Sequence, residues 1–168
     1  MHEVLKGWKV PAQSRYKAST GHGRSCAFGF IRKRSYKPGV STLNLKKPKV
    51  WKALKAFADS TGFPYDSVQV NQDCVCGRHK DKHNTGDSYL VSFGDYTGGE
   101  LVVEDEVYDC NKKPIVFNGA EREHWNNPLG QDSRKWSIVL FRTSIPVRFL
   151  KDFPEDWRTC DEYIAMKS

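Results

Sequence analysis

The sequence predicts a mainly β fold of the α+β type, an antiparallel sandwich or jelly roll with helical support. Residues 65–143 hold five short segments rich in β-branched and aromatic side chains: Tyr65–Asn71, Ser88–Phe93, Glu100–Glu104, Ile115–Asn118 and Trp136–Thr143. Turn residues separate them at 84–86, 98–99, 111–114 and 126–130. One segment with helical spacing precedes them all. Short strands after a helix suit layered antiparallel sheets better than alternating βα units.

Taken in order, residues 1–24 are polar, broken by Gly21, His22 and Gly23, and read as an arm or loop. Arg24–Ile31 (RSCAFGFI) is a candidate first strand, and Lys33–Pro38 a basic turn. The helix starts at Pro48, whose fixed φ suits a first helical position. Val50, Leu54, Phe57 and Ala58 then recur on one face. Gly62 caps it, and Pro64 forbids continuation. Along the last strand, Lys135, Ser137, Val139 and Phe141 share one face, while Arg134, Trp136 and Ile138 share the other. The tail from Lys151 is charged and ends in an expected short helix near 155–165. The whole reads as a single domain, 1–168: a basic arm and first strand (1–47), the helix (48–62), the β core (65–143) and the tail (144–168).

Composition narrows the function. The 168 residues include 9 Phe, 7 Tyr and 5 Trp, enough bulk for a core. No run approaches 18 apolar residues, so no membrane span is expected. The N-terminus lacks an apolar stretch of the secretory kind, and the five cysteines (Cys26, Cys74, Cys76, Cys110, Cys160) are odd in number and irregularly spaced. An intracellular, reducing location is expected, nuclear if the source is eukaryotic. The net charge of +7 is uneven: residues 1–52 carry 13 Lys and Arg against one acid, the remainder 14 against 19. A basic first third suits an anionic partner, nucleic acid being the commonest.

The chemistry sits in GRHKDKHN. His79 and Asp81 are two apart, so in an extended segment imidazole and carboxylate face the same side and can hold one ion. His124 follows 43 residues after Asp81, beyond the strand IVFN. Two histidines and a carboxylate on one face leave further positions of an octahedral ion open, the arrangement of non-haem Fe(II) oxygenases. A cation on the same face of the last strand would anchor the distal carboxylate of an organic diacid.

Together HKDKHNTGDSYLVSFGDYTGGELVV, FNGAEREHW and SRKWSIVLF resemble the Fe(II)/2-oxoglutarate-dependent dioxygenases. Within them the chain is most similar to the branch of the TET and JBP enzymes, which oxidise the methyl group of 5-methylpyrimidines in DNA. The resemblance rests on His79, Asp81, Asn84, the turn from Gly94 to Gly99, His124, Lys135 and Ser137. Residues 1–64 match only through Arg24, Ser25, Phe28, Gly29 and the helix. Two departures stand out: Lys135 occupies the place where Arg is usual, and Asn71 is followed by Gln72 and Asp73 instead of opening an Asn-x-Tyr motif.

The resemblance implies a double-stranded β-helix (jelly-roll or cupin-like) core supported by one or two N-terminal helices. It implies Fe(II) on His79, Asp81 and His124 as the catalytic centre, and 2-oxoglutarate and O2 as cosubstrates, with ascorbate as a reductant. Lys135 or Arg134 would pair the far carboxylate of 2-oxoglutarate, helped by Ser137 and Asn71. Asn84, His83, Tyr96, Arg24, Ser25 and His22 are candidate substrate contacts. The expected partner is DNA bearing a methylated pyrimidine that leaves the stack, bound by a monomer. Arg15, Arg24, Arg32, Lys33, Arg34, Lys46, Lys47 and Lys49 would contact phosphates. Two other readings are a protein (prolyl-type) or small-molecule hydroxylase on the same scaffold, and a non-catalytic nucleic-acid-binding module.

Overall fold

Pro48 opens the longest helix among the described residues, and the apolar stripe behind it decides which face of the main sheet is covered. A computed structural model describes residues 1–11, 23–32 and 38–143. In chain order its elements are α1 (His2–Lys6), β1 (Arg24–Arg32), β2 (Pro38–Val40), α2 (Leu43–Lys46), α3 (Pro48–Ser60), β3 (Ser67–Gln72), β4 (Ser88–Asp95), β5 (Leu101–Val103), β6 (Glu106–Tyr108), β7 (Ile115–Phe117), β8 (His124–Asn126) and β9 (Arg134–Phe141). A six-stranded sheet runs β2-β1-β3-β9-β4-β7, and a three-stranded sheet runs β6-β5-β8. All named pairings are antiparallel, and the fold is a double-stranded β-helix.

The strands β3, β9 and β4 obey the period-2 rule strictly. Val68 and Val70 of β3, Ile138 and Leu140 of β9 and Val91 of β4 point to one face, where they meet Leu54 and Ala58 of α3 and Phe28 of β1 in the main core. Trp51 stacks on Phe28, ring centroids 6.1 Å apart and nearly parallel. The opposite face shows Gln69 and Asn71, Lys135, Ser137, Val139 and Phe141, and Leu90 to a cavity closed on its other side by β5, β7 and β8. A smaller core of Leu101, Val103, Cys110 and Phe117 holds the second sheet in place.

Two glycines make the close approaches possible. At Gly94 (φ 135°) a Cβ would lie 2.1 Å from the carbonyl oxygen of Arg134, where β4 meets β9. At Gly98 (φ 67°) it would lie 2.2 Å from the carbonyl of Pro128. The glycine-rich turn after β4 is thus a packing device that brings residues 128–135 against residues 94–99.

Some elements differ from the sequence expectation. The first eleven residues, read as part of a polar arm, carry α1, with Leu5 and Val10 fully buried in the main core. Met1 and Trp8 pack against the same core, Trp8 edge-on to Phe28 with ring centroids 5.6 Å apart, so these few apolar residues anchor a segment too short for its periodicity to stand out. β2, α2, β6 and β8 are three or four residues long and are held by pairing or packing rather than propensity. Lys46, Lys47 and Lys49 are exposed around the start of α3, on the helical side of the main sheet and away from the cavity. The expected contacts at Arg15, His22, Lys33 and Arg34, and the tail helix, fall outside the described residues.

Leu54→Ala removes a fully buried side chain from the α3–sheet contact. It is expected to destabilise the fold by about 2–5 kcal/mol in denaturant unfolding, whereas Lys52→Ala on the exposed side of α3 stays within about 0.5 kcal/mol.

Candidate metal centre

Backbone pairing brings the donor residues together. His79 N donates to His124 O (3.1 Å) and His124 N to His79 O (3.0 Å), a two-residue antiparallel bridge outside the longer strands. Asp81 N donates to Gly119 O (2.8 Å), which ties the carboxylate's backbone to the turn before β8. The two imidazole centroids are 4.3 Å apart. The ligand atoms of His79, Asp81 and His124 all lie within 4.8 Å of one another.

The tautomers follow from the hydrogen bonds. His79 Nδ1 lies 2.7 Å from Gly77 O and His124 Nδ1 2.9 Å from Arg122 O. A carbonyl only accepts, so both Nδ1 atoms carry the proton and both Nε2 lone pairs face inward. His79 Nε2 is 3.5 Å from Asp81 Oδ1 and His124 Nε2 is 3.2 Å from Asp81 Oδ2. One carboxylate between two neutral imidazoles is a donor set suited to a divalent ion. Burial opposes charge on His124, but the Asp81 carboxylate and the Arg122 carbonyl favour it, and its pKa lies above the ordinary histidine value. Gly119 leaves room for this arrangement: a Cβ there would meet Asp81 Oδ2 at 3.1 Å and His124 Cε1 at 3.2 Å.

The donor set opens into the cavity, of about 470 Å³. Lys135 lines the same space, 5% exposed, with Nζ donating to Gly99 O and lying 5.4 Å from the centre of the Tyr96 ring. No carboxylate lies within ion-pair distance of it among the described residues. Burial holds its pKa below the usual lysine value, against the opposing pull of Cys110, Cys76, Cys74 and Glu100. Its position is fixed by Asp73, whose Oδ1 accepts from Lys135 N at 2.8 Å. Ser137 sits two residues on, within 3.4 Å of Asn71 Nδ2. Asn71 Oδ1 in turn accepts from Ser25 Oγ (2.7 Å) and Gln69 Nε2 (2.9 Å).

The other expected residues divide. Asn84 and His83 line the cavity, His83 exposed in the turn closed by Asn84 N donating to Asp81 O (2.9 Å). Arg134 lies in the opposite strand phase, its side chain 69% exposed and 3.7 Å from Asp73 Oδ2. Tyr96 lies beneath the Lys135 ammonium instead of at the opening; burial pushes its hydroxyl up to about 12. Arg24 turns its guanidinium to Val10 O (3.2 Å), and Ser25 touches the cavity wall through Asn71 and through Gln69, whose Nε2 donates to Ser25 Oγ (3.1 Å).

Sequence reasoning missed Gln69, Leu90, Cys74, Cys76, Phe117 and Asn126 as cavity residues. Gln69 was within reach, since it shares the phase of Asn71. Burial pushes the Cys74 thiol up to about 11 and raises that of Cys76, so both are protonated thiols at neutral pH.

No protein-family profile and no curated protein matches the chain. Solved structures do. NgTET1, in complex with 5mC DNA, superposes with a TM-score of 0.56 at 13% identity, over 84% of this chain and 64% of that one. An oxidoreductase of the 2OG-Fe(II) oxygenase family from Burkholderia pseudomallei superposes with a TM-score of 0.52 at 16% identity, over 83% of this chain and 76% of that one. The chain thus spans just under two thirds of the length of NgTET1, and at these identities the likeness is one of fold.

The full chain is expected to bind one divalent ion, read by elemental analysis after dialysis against Mn(II) or Fe(II). His79→Ala and Asp81→Ala should each lower the affinity at least ~10-fold, and Gly119→Val should do so without removing a donor. Wild-type stoichiometry retained in both alanine variants would reject the site.

Proposed function

We propose that this chain is an Fe(II)- and 2-oxoglutarate-dependent oxygenase that hydroxylates the methyl group of a 5-methylpyrimidine in DNA, with 5-methylcytosine ahead of thymine. The observation that carries the reading is the presence, in one cavity, of a two-histidine, one-carboxylate donor set and a buried lysine without an acidic partner among the described residues. A buried ammonium is costly alone, and an anionic ligand would offset that cost. The double-stranded β-helix is also the fold of NgTET1 and of the Burkholderia pseudomallei oxygenase.

His79, Asp81 and His124 would hold Fe(II), and three protein donors leave room for small-molecule ligands, unlike a closed four-ligand cage. With 2-oxoglutarate and O2, the metal supplies oxidative C–H hydroxylation, releasing succinate and CO2. The chain's own residues bind and orient. Lys135 pairs the distal carboxylate of 2-oxoglutarate, and Ser137 adds a hydroxyl on the same face. Asn71, held by Ser25 and Gln69, fixes the rotamer of the polar wall. Leu90, Leu101, Phe117, Val139 and Phe141 form the apolar lining that excludes water.

Two observations support DNA as the substrate. The chain is strongly basic in its first third, and a fold neighbour, NgTET1, is a structure with 5mC DNA. The volume of about 470 Å³ suits a small diacid together with an extruded base. A prolyl-type or small-molecule hydroxylase would instead turn over without nucleic acid.

Incubation of methylated DNA with the protein, Fe(II), ascorbate and 2-oxoglutarate should give hydroxymethylated nucleosides by mass spectrometry, matched by succinate. Succinate without any oxidised nucleoside would retire the DNA reading, and absence of both would retire the oxygenase.

Lys135→Ala should raise the KM for 2-oxoglutarate roughly 10–100-fold, the loss of a charge-assisted bond, while Arg134→Ala should leave it near wild type. Because burial lowers the Lys135 pKa, the ammonium is lost on raising the pH earlier than that of an ordinary lysine at 10.5. Affinity for 2-oxoglutarate should therefore fall with rising alkaline pH, and Lys135→Arg should flatten that fall. A pH-independent wild-type affinity would argue against the pairing.

A further inference from the structure

The loop that carries the metal-donor side chains carries two cations whose charge nothing in the site uses. Lys80 stands between His79 and Asp81, and Lys82 follows directly. Both are exposed, both line the cavity, and neither has an ion pair or hydrogen bond among the described residues. Arg78, the next cation along, is already engaged: it pairs with Glu123 (3.0 Å) and covers the Trp125 ring at 4.1 Å. Resting on the function proposed above, we propose that Lys80 and Lys82 bind the backbone phosphates that flank a base held in the cavity, so that the metal-donor loop is also the nucleic-acid clamp.

The backbone around the two lysines is pinned. The His79–His124 bridge, the Asp81 N to Gly119 O bond (2.8 Å) and the turn bond from Asn84 N to Asp81 O (2.9 Å) fix the loop against the rim of the second sheet. The extended segment sends His79 and Asp81 toward each other, and the turn then projects Lys82 outward with His83. The two ammonium groups therefore start from adjacent positions on either side of Asp81. A base that leaves the stack carries its own two phosphates with it, separated from the ring only by the sugar. Those phosphates come to the rim of whatever cavity holds the base. The cations that meet them must stand at that rim, and among the described residues Lys80 and Lys82 are the lysines that line the cavity besides the buried Lys135. Lys46, Lys47 and Lys49, which sequence alone nominates for this role, lie on the helical side of the main sheet. Phosphate contacts of this kind set register and affinity without reading base identity.

The test is equilibrium binding of the full chain to a fluorescent duplex containing 5-methylcytosine, and to its unmethylated counterpart, across a KCl series. Each phosphate contact contributes roughly 0.9 to the slope of log K against log salt. Lys80→Gln with Lys82→Gln should make the slope shallower by about 1.8, by the same amount for both duplexes, and Lys80→Arg with Lys82→Arg should restore it. Lys46→Gln, Lys47→Gln and Lys49→Gln together should keep the wild-type slope. An unchanged slope in the Lys80/Lys82 glutamine variant, or a slope lost in the triple variant, overturns the clamp while leaving the function reading intact. A wild-type chain that binds neither duplex overturns both.

Discussion

The pleat of β9 is the constraint on which the molecule depends. Its residues alternate between an apolar layer under α3 and the cavity between the sheets, and the neighbouring strands β3 and β4 alternate in step. A slip of one residue would turn Trp136, Ile138 and Leu140 into the cavity and bury Lys135 and Ser137 under the helix. The apolar contacts with Val68, Val70, Val91 and Leu54 forbid that slip. The same contacts thereby hold Lys135 and Ser137 on the cavity side, so the core fixes the phase of the site.

A second layer of control comes from short backbone pairings. The donor loop forms no strand of its own, and one antiparallel bridge to β8 is what sets His79 beside His124. Two carbonyls, from Gly77 and Arg122, then determine which nitrogen of each ring faces inward. Without them the imidazoles would be free to rotate, and a donor set of the right composition would lack a common focus. Gly119 completes the arrangement by leaving open the space beside Asp81 and His124.

Charge is distributed along the same lines. The buried ammonium of Lys135 and the three donors share one cavity, while Lys80 and Lys82 stand at its edge. The thiols of Cys74 and Cys76 line the wall in protonated form, leaving the ligand role to nitrogen and oxygen. Among the described cations of the basic first third, Arg24 is bound to Val10 O, and the lysines near α3 face away. Net charge by segment is therefore a poor guide to where an anionic ligand would sit, because a sheet separates its two faces completely.

Sequence alone determined the alternation of β9, the helix from Pro48 to its glycine stop and the pairing of His79 with Asp81, because each rests on a period of two or of 3.6 residues. It also separated Lys135 from Arg134 by face, although not which face would meet the cavity. Tertiary structure decided the rest. The meeting of His124 with the loop 43 residues before it, the burial of the N-terminal segment through Leu5 of α1 and Val10 beyond it, and the short strands β2, β6 and β8 all depend on contacts between distant segments. Local propensity carries no record of such contacts, since each partner supplies only half of the pairing or packing that stabilises it.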